Sequence, residues 1–501
     1  MSRIKNVIKN AKVGLFFMVI TFALGMVSRK IFLDQLGPDF IGLTTTLLGI
    51  IGFLSLAEMG LSVAVSSTLY KPLAEKDYQQ VCNTIDFLGK AYKGIGLSVI
   101  VLGLLVAIFL PYFFPDQGVD LKVVYYAYTI FIISVVIEYI FNYKQIILNA
   151  DQKNYVITYC RDSLNIIKVL LQILVIKLGF GEYAWLIVGI LTTSVSIILI
   201  NRYVNKNYQW LKSTGKTFRQ LYNESSELVV KTKQLMIHKL AHFVFSSSDS
   251  LLIYKFTSLS TVTLIGNYQL IAGILPMFTS TLRSGLASSV GNFIHDKKRN
   301  IVELFESIWF FSWVLSIFFG FCFYNLINPF IFLWLGGGYQ IDNIIVIMIT
   351  ANILLLMSRG AIDIFINAYG LFHDVKAPMI EVIINIIVSV LLGVKYGAVG
   401  VLSGTFCSLF IIIFLWKPYL LYTLKFNVSY KTYLFVLFKV CISIVIFVFV
   451  CFHVDIIFAK DWLEFFKSIL FVFLLSFLVV ISYVFFNVKE FMFIYRKIFN
   501  R

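Results

Sequence analysis

The stretch from Lys231 to Ile253, KTKQLMIHKLAHFVFSSSDSLLI, carries two charges, Lys239 and Asp249, inside an apolar run of helix length. Gln234, His238, His242, Ser246 and Asp249 recur at helical spacing and would share one face of that helix. An ionisable group at the centre of a bilayer costs about 2.5 to 3.5 kcal/mol on insertion scales, so such a face turns towards protein or water. Similar stripes recur along the chain. Glu138, Asn142, Gln145 and Asn149 form one, and Arg161, Asn165, Lys168 and Gln172 form the next at the same offsets. Others are Thr44, Ser55, Glu58 and Ser62; Gln269, Ser280 and Arg283; Asn352, Arg359, Asp363 and Asn367; and Glu381, Asn385 and Ser389. Arg29 stands alone on the first helix.

These stripes bring cations (Arg29, Arg161, Lys168, Lys239, Arg283, Arg359) and anions (Glu58, Asp249, Asp363, Glu381), with Asn165 beside them, in numbers beyond what packing requires, so the helices that carry them line something wet. Blander readings stand beside these. Arg29 near a helix end also suits snorkelling, Arg359 and Asp363 at i, i+4 also suit a self-neutralising pair, and Glu58 also suits a local cap. Resident cofactors and metals are not expected. His238 and His242 have metal spacing without an HExxH glutamate or a third ligand. Ser213-Thr214-Gly215-Lys216-Thr217 contains GKT, but Trp210 stands where the first P-loop glycine belongs. No GxSxG elbow and no long catalytic loop occurs, so an enzyme is not expected.

The elements that position these residues follow from composition. Of 501 residues, 59% are hydrophobic and 14% charged, too few polar groups to clothe a soluble globule of this size. The chain reads as an all-α integral membrane protein with about 14 transmembrane helices. Expected spans are 13–33, 40–64, 94–114, 121–147, 156–178, 183–201, 232–254, 262–286, 304–327, 343–365, 378–395, 398–416, 434–458 and 464–486. Lys and Arg crowd one set of loops, so the net charge of +16 reflects cytoplasmic loops and not nucleic acid, and both termini are expected in the cytoplasm. The six cysteines are scattered, without CxxC spacing, and no disulfide is expected.

The halves repeat. Ile147-Leu148-Asn149-Ala150 matches Phe365-Ile366-Asn367-Ala368 about 218 residues later, and Gly179-Phe180-Gly181 matches the glycine turn Gly397 to Gly400. Two parallel six-helix repeats around a central cavity, plus two C-terminal helices, account for the length. The expected organisation is a bundle over 1–201, a cytoplasmic linker and hinge over 202–230, a second bundle over 231–420, and two further helices with a tail over 421–501.

Leu36-Gly37-Pro38-Asp39-Phe40-Ile41-Gly42, Leu56-Ala57-Glu58-Met59-Gly60-Leu61, His238-Lys239, Ser248-Asp249-Ser250 and Asn149-Ala150-Asp151-Gln152 stand in an order and spacing that resembles the bacterial polysaccharide-unit flippases, the Wzx type. The resemblance covers almost the whole chain. It implies membership of the multidrug/oligosaccharidyl-lipid/polysaccharide exporter superfamily and alternating access across the bacterial cytoplasmic (inner) membrane. It further implies an undecaprenyl-diphosphate-linked oligosaccharide substrate, as in O-antigen or capsule assembly, with a polysaccharide polymerase as a candidate partner. Cavities of that family are cationic, so the resemblance implies that Arg29, Arg161, Asn165, Lys168, Lys239, Arg283 and Arg359 bind the diphosphate-linked substrate, with Arg able to do so bidentately, and that Glu58, Asp249, Asp363 and Glu381 bind a coupling H⁺ or Na⁺ that biases the two conformations. A peptidoglycan lipid-precursor flippase, a cation-coupled multidrug exporter of the same superfamily and, less well supported, a membrane polysaccharide polymerase are the alternatives.

Overall fold

The structure, a computed structural model, describes the chain except residues 1, 56–57, 59–60, 116–117, 225–231, 233–235, 237–242, 245–246, 281–289, 291–300, 370, 372–375, 454–458, 489–491 and 493–501. Every regular element among the described residues is helical, and ten are long and apolar enough to cross a membrane. The chain forms two compact units. Unit 1 is Met1–Leu251 with Ser258–Ser260, and unit 2 is Leu252–Thr257 with Thr261–Arg501. The described residues from 243 to 251, expected in the second bundle, fall in unit 1: Phe243 packs edge-on against Phe53 at 5.1 Å, and a Cβ on Gly49 would meet Leu251 at 3.6 Å.

In unit 1, α1 (Ser2–Leu54) covers the first two expected crossings as one helix kinked at Gly37, whose φ of 77° suits glycine, and at Pro38, which has no N–H to give. It ends earlier than expected. Ser55 N–H still reaches the Ile51 carbonyl, Glu58 N–H bonds the Ser55 carbonyl, and a new helix, α2 (Leu61–Glu75), begins beyond. Glu58 therefore lies in a break and not on a continuous helical stripe. There follow α3 (Tyr78–Phe113), N-capped by Asp77, α4 (Leu121–Phe141), α5 (Ile146–Ala150), α6 (Asn154–Lys177), α7 (Gly181–Asn207) and α8 (Phe218–Glu224). The expected linker packs on α3 as far as Glu224. Asp86 on α3 accepts hydrogen bonds from Ser213 Oγ, Thr214 N and Thr214 Oγ1, Phe87 stacks on Phe218 at 5.5 Å, and Leu221 is fully buried.

Unit 2 takes up most of α9 (Leu259–Ala272), then α10 (Ile301–Leu335), α11 (Asn343–Ala368), α12 (Lys376–Tyr396), α13 (Ala398–Phe410), α14 (Tyr430–His453) and α15 (Trp462–Phe486). α13 does not stop near residue 416 as expected. π-helical turns at Ile411–Trp416 and Leu421–Phe426 carry it through Lys417 and Pro418 to Phe426.

The internal repeat is written into the backbone. Asp151 N–H bonds the Ile147 carbonyl at 2.9 Å and Lys153 N–H that of Leu148 at 2.8 Å; Tyr369 bonds Phe365 at 2.9 Å and Leu371 bonds Ile366 at 3.0 Å. These are the same Schellman-type closures on the two copies of the Asn-Ala motif. Gly179 and Gly397 both take positive φ, 83° and 56°, at corresponding turns.

The α12–α13 hairpin packs backbone to backbone. A Cβ on Gly400 would overlap the Leu392 carbonyl, and one on Gly404 would overlap the Ser389 hydroxyl. Asn385 and Ser389, both fully buried, bond Thr405 Oγ1 (3.0 Å) and the Val401 carbonyl (2.9 Å) across the seam. Small residues four apart let two membrane helices touch backbone to backbone. Gly404→Val is therefore expected to cost more than the roughly 1 to 3 kcal/mol of ordinary overpacking, read as a sharp fall in the unfolding midpoint of the purified protein, whereas Gly338→Val, in open space, should leave it unchanged.

Candidate functional site

Unit 1 contains a polar cavity of about 390 Å³ between α4, α6 and α7, lined by Glu138, Arg161, Asp162, Asn165, Lys168, Thr192, Thr193 and Ser196 among others. The sequence stripe on α6 falls into it for a simple reason. Residues 161, 165 and 168 repeat at helical spacing, while the neighbouring Ile167, Leu170 and Leu171 are exposed on another, apolar side of the helix. Gln172, the last residue of the stripe, does not join them. It is buried, and its amide donates to the Trp185 carbonyl at 3.0 Å, closing the seam between α6 and α7.

Within the cavity the charges are unequally committed. Arg161 Nη2 sits 2.8 Å from Glu138 Oε1, in a pair about half exposed. Lys168, only partly exposed and near the middle of its helix, has neither a carboxylate nor a hydrogen-bond acceptor of its own among the described residues. On the far wall the buried Ser196 hydroxyl also lacks a partner. An ammonium held in that setting needs water or an anionic ligand to offset its desolvation.

Glu138 also borders a second chamber, of about 210 Å³, lined by Ser55, Glu58, Tyr92, Tyr139, Asn142 and Gln145. Tyr92 OH donates to Glu58 Oε1 at 2.7 Å. The break after α4 turns Asn142 and Gln145 into this chamber, because the helix ends at Phe141 and a single 3-10 turn, Tyr143–Gln145, intervenes before α5.

Unit 2 holds the remaining candidates in a different arrangement. Arg359 Nη1 is 2.6 Å from Glu381 Oε1, its Nε is 3.5 Å from Asp363 Oδ2, and Lys417 Nζ bonds Asp363 Oδ1. The cluster joins α11, α12 and the extended α13, and its charges cancel. Asp363 and Glu381, expected to carry a coupling ion, thus each face cations of the protein itself, and Arg359 is spent on carboxylates instead of being open to a substrate. The ion pair between the two helices of each repeat occurs with its polarity reversed, Glu138 to Arg161 in unit 1 and Arg359 to Glu381 in unit 2. Lys417 escaped the sequence reading, which placed it in a cytoplasmic loop. Two carboxylates against one arginine on α11 and α12 were the signal that a second cation was needed.

Of the other expected site residues, Arg29 on α1 and Asp249 are partly buried and line neither polar cavity. Lys239, Arg283, His238 and His242 lie outside the described residues. No group of three or more His, Cys, Asp or Glu residues is placed to hold a metal among the described residues.

No family model and no curated protein matches the sequence. Solved structures match the fold. The lipid II flippase MurJ in an inward closed conformation superposes with a TM-score of 0.67 at 17% identity, over 97% of this chain and 99% of that one. An inward-facing multidrug resistance MATE family transporter of the MOP superfamily matches with 0.54 at 15% identity, over 81% and 95%. The Vibrio cholerae MATE transporter VcmN matches with 0.53 at 14%, over 84% and 97%. The chain therefore shares the fold of these solved structures, with ten helices among the described residues long and apolar enough to cross a membrane.

Proposed function

We propose that the protein is a flippase that moves undecaprenyl-diphosphate-linked oligosaccharide repeat units from the cytoplasmic to the outer leaflet of a bacterial inner membrane by alternating access, coupled to H⁺ or Na⁺. The observation that carries this reading is the uncommitted Lys168 ammonium beside Asn165 in a polar cavity at mid-helix. A diphosphate cannot enter hydrocarbon without replacing its hydration, and a cation with no carboxylate of its own offers that replacement. The Asn165 side-chain amide, lining the same cavity, adds N–H donors suited to phosphate or sugar oxygens. A cationic drug would instead meet Lys168 as a like charge. A second reading, a peptidoglycan lipid-precursor flippase, is supported by the full-length match to a protein named as a lipid II flippase; the lipid-linked substrate is common to both.

The cavity is tested by cysteine accessibility. Cysteine at Asn165 should react with a small hydrophilic maleimide above the background of the native thiols and be protected by added lipid-linked diphosphate oligosaccharide, while cysteine at the outward-facing Leu170 should not react. Equal labelling of both positions, or no protection by substrate, would remove this cavity from the pathway.

A further inference from the structure

We infer that the unit 1 cavity selects a zwitterionic head group: a lipid-linked glycan that carries a protonated amino group close to its diphosphate, with Asp162 holding the ammonium and Lys168 the diphosphate. This rests on the flippase reading and names the class of glycan that the site takes. The observation behind it is a row of side chains on α6. Asp162, Asn165 and Lys168 stand at i, i+3 and i+6, all three line the cavity, and none makes a hydrogen bond or ion pair among the described residues. Each step of three residues climbs about 4.5 Å along a helix, so the two charges stand roughly 9 Å apart along the axis with the amide between them. Chemically the row runs from an acceptor, through an amide that both accepts and donates, to a donor. Much of the remaining polar lining is already spent. Arg161 is paired with Glu138 at 2.8 Å, and the Thr192 and Thr193 hydroxyls donate to the Val188 and Gly189 carbonyls of their own helix at 2.8 and 3.0 Å.

The charge balance decides what Asp162 meets. Arg161 and Lys168 bring two positive charges to the lining, and Glu138 and Asp162 bring two negative ones, so the charges of the cavity cancel. A purely anionic diphosphate would enter against Asp162, a like charge in a space partly withdrawn from water, and would bind better without that residue. A ligand with an ammonium as well as a diphosphate matches both uncommitted charges at once. A sugar hydroxyl could also donate to Asp162, but it would leave the repulsion of the diphosphate in place, whereas an ammonium cancels it and forms the stronger, charge-assisted bond. A sugar ring between the two charges sets its hydroxyl or amide substituents opposite Asn165.

The test compares two synthetic prenyl-diphosphate disaccharides that differ in one substituent. One has a free amine on the sugar attached to the diphosphate, and the other has the same amine acetylated. Purified full-length protein in detergent is titrated with each, at a pH that keeps the amine protonated, and the rise of the unfolding midpoint gives an apparent affinity. The wild type is expected to bind the amine form about tenfold or more tightly than the acetylated form. Asp162→Asn should erase that preference by weakening the amine form and tightening the acetylated one, and Lys168→Gln should weaken both. Equal affinity of the wild type for the two forms, a comparison that needs no variant to fold, would overturn the zwitterion and leave the flippase reading standing. A preference that survives Asp162→Asn would overturn the assignment of the ammonium to that carboxylate. Binding of neither form would overturn the flippase reading itself, and the zwitterion with it.

Discussion

Lys168→Gln is expected to stop surface polysaccharide while lipid-linked repeat units accumulate in the cell, in a protein that still reaches the membrane at normal levels. The side chain has no partner to strand, so its removal should not unfold the helix; it removes only the charge. One desolvated cation contact to phosphate is worth about 1.5 to 3 kcal/mol, or roughly ten- to hundredfold in affinity. Lys168→Arg keeps the charge and should retain part of the activity. Arg161→Gln should be milder than Lys168→Gln, because Arg161 already divides its charge with Glu138 at 2.8 Å. The double change Arg161→Gln with Lys168→Gln leaves Glu138 and Asp162 as the only charges in the cavity, and it should abolish export. Quantifying lipid-linked units by thin-layer chromatography alongside surface glycan checks this order.

The second large effect falls on stability. Arg359→Gln leaves Glu381, whose side chain is 5% exposed, as an uncompensated buried carboxylate. Breaking a buried pair from one side costs about 3 to 5 kcal/mol, so the folded, inserted yield and the unfolding midpoint should both fall steeply. Arg359→Gln with Glu381→Gln should recover most of the loss, since no unpaired charge remains and Asp363 keeps Lys417. Arg359→Gln with Asp363→Asn should not, because Glu381 stays stranded and Lys417 loses its carboxylate. Equal stability of the single variant and the double would show that a stranded Glu381 is not the cause of the loss.

Patterning in the sequence carried the repeat and the α6 stripe, because both depend on local periodicity. The Asn-Ala motif at residues 149–150 and 367–368 ends a helix through the same pair of backbone hydrogen bonds in each copy, and Arg161, Asn165 and Lys168 share a cavity because they share a helix face. What stayed hidden depended on partners distant in sequence or on where helices break. Glu58 left its expected stripe because α1 ends at Leu54, and its hydroxyl partner, Tyr92, lies on another helix. Asn385 and Ser389 looked like cavity lining, yet they serve the α12–α13 seam, which Gly400 and Gly404, four residues apart, had signalled. Lys417 lies one residue beyond the expected span 398–416, whereas π-helical turns on both sides carry the helix through it and past Pro418. Gln172 shows the same limit in unit 1, since only the position of Trp185 decides that its amide closes a seam instead of facing water.

The central claim, that Lys168 in unit 1 holds the diphosphate of a lipid-linked glycan during transfer between leaflets, is tested most directly in proteoliposomes. Purified protein is reconstituted with a fluorescent undecaprenyl-diphosphate oligosaccharide, and its arrival in the outer leaflet is followed with an impermeant lectin or quencher. The account predicts transfer by the wild type, reduced transfer by Lys168→Arg, and none above protein-free vesicles for Lys168→Gln. Transfer by Lys168→Gln at the wild-type rate would contradict it.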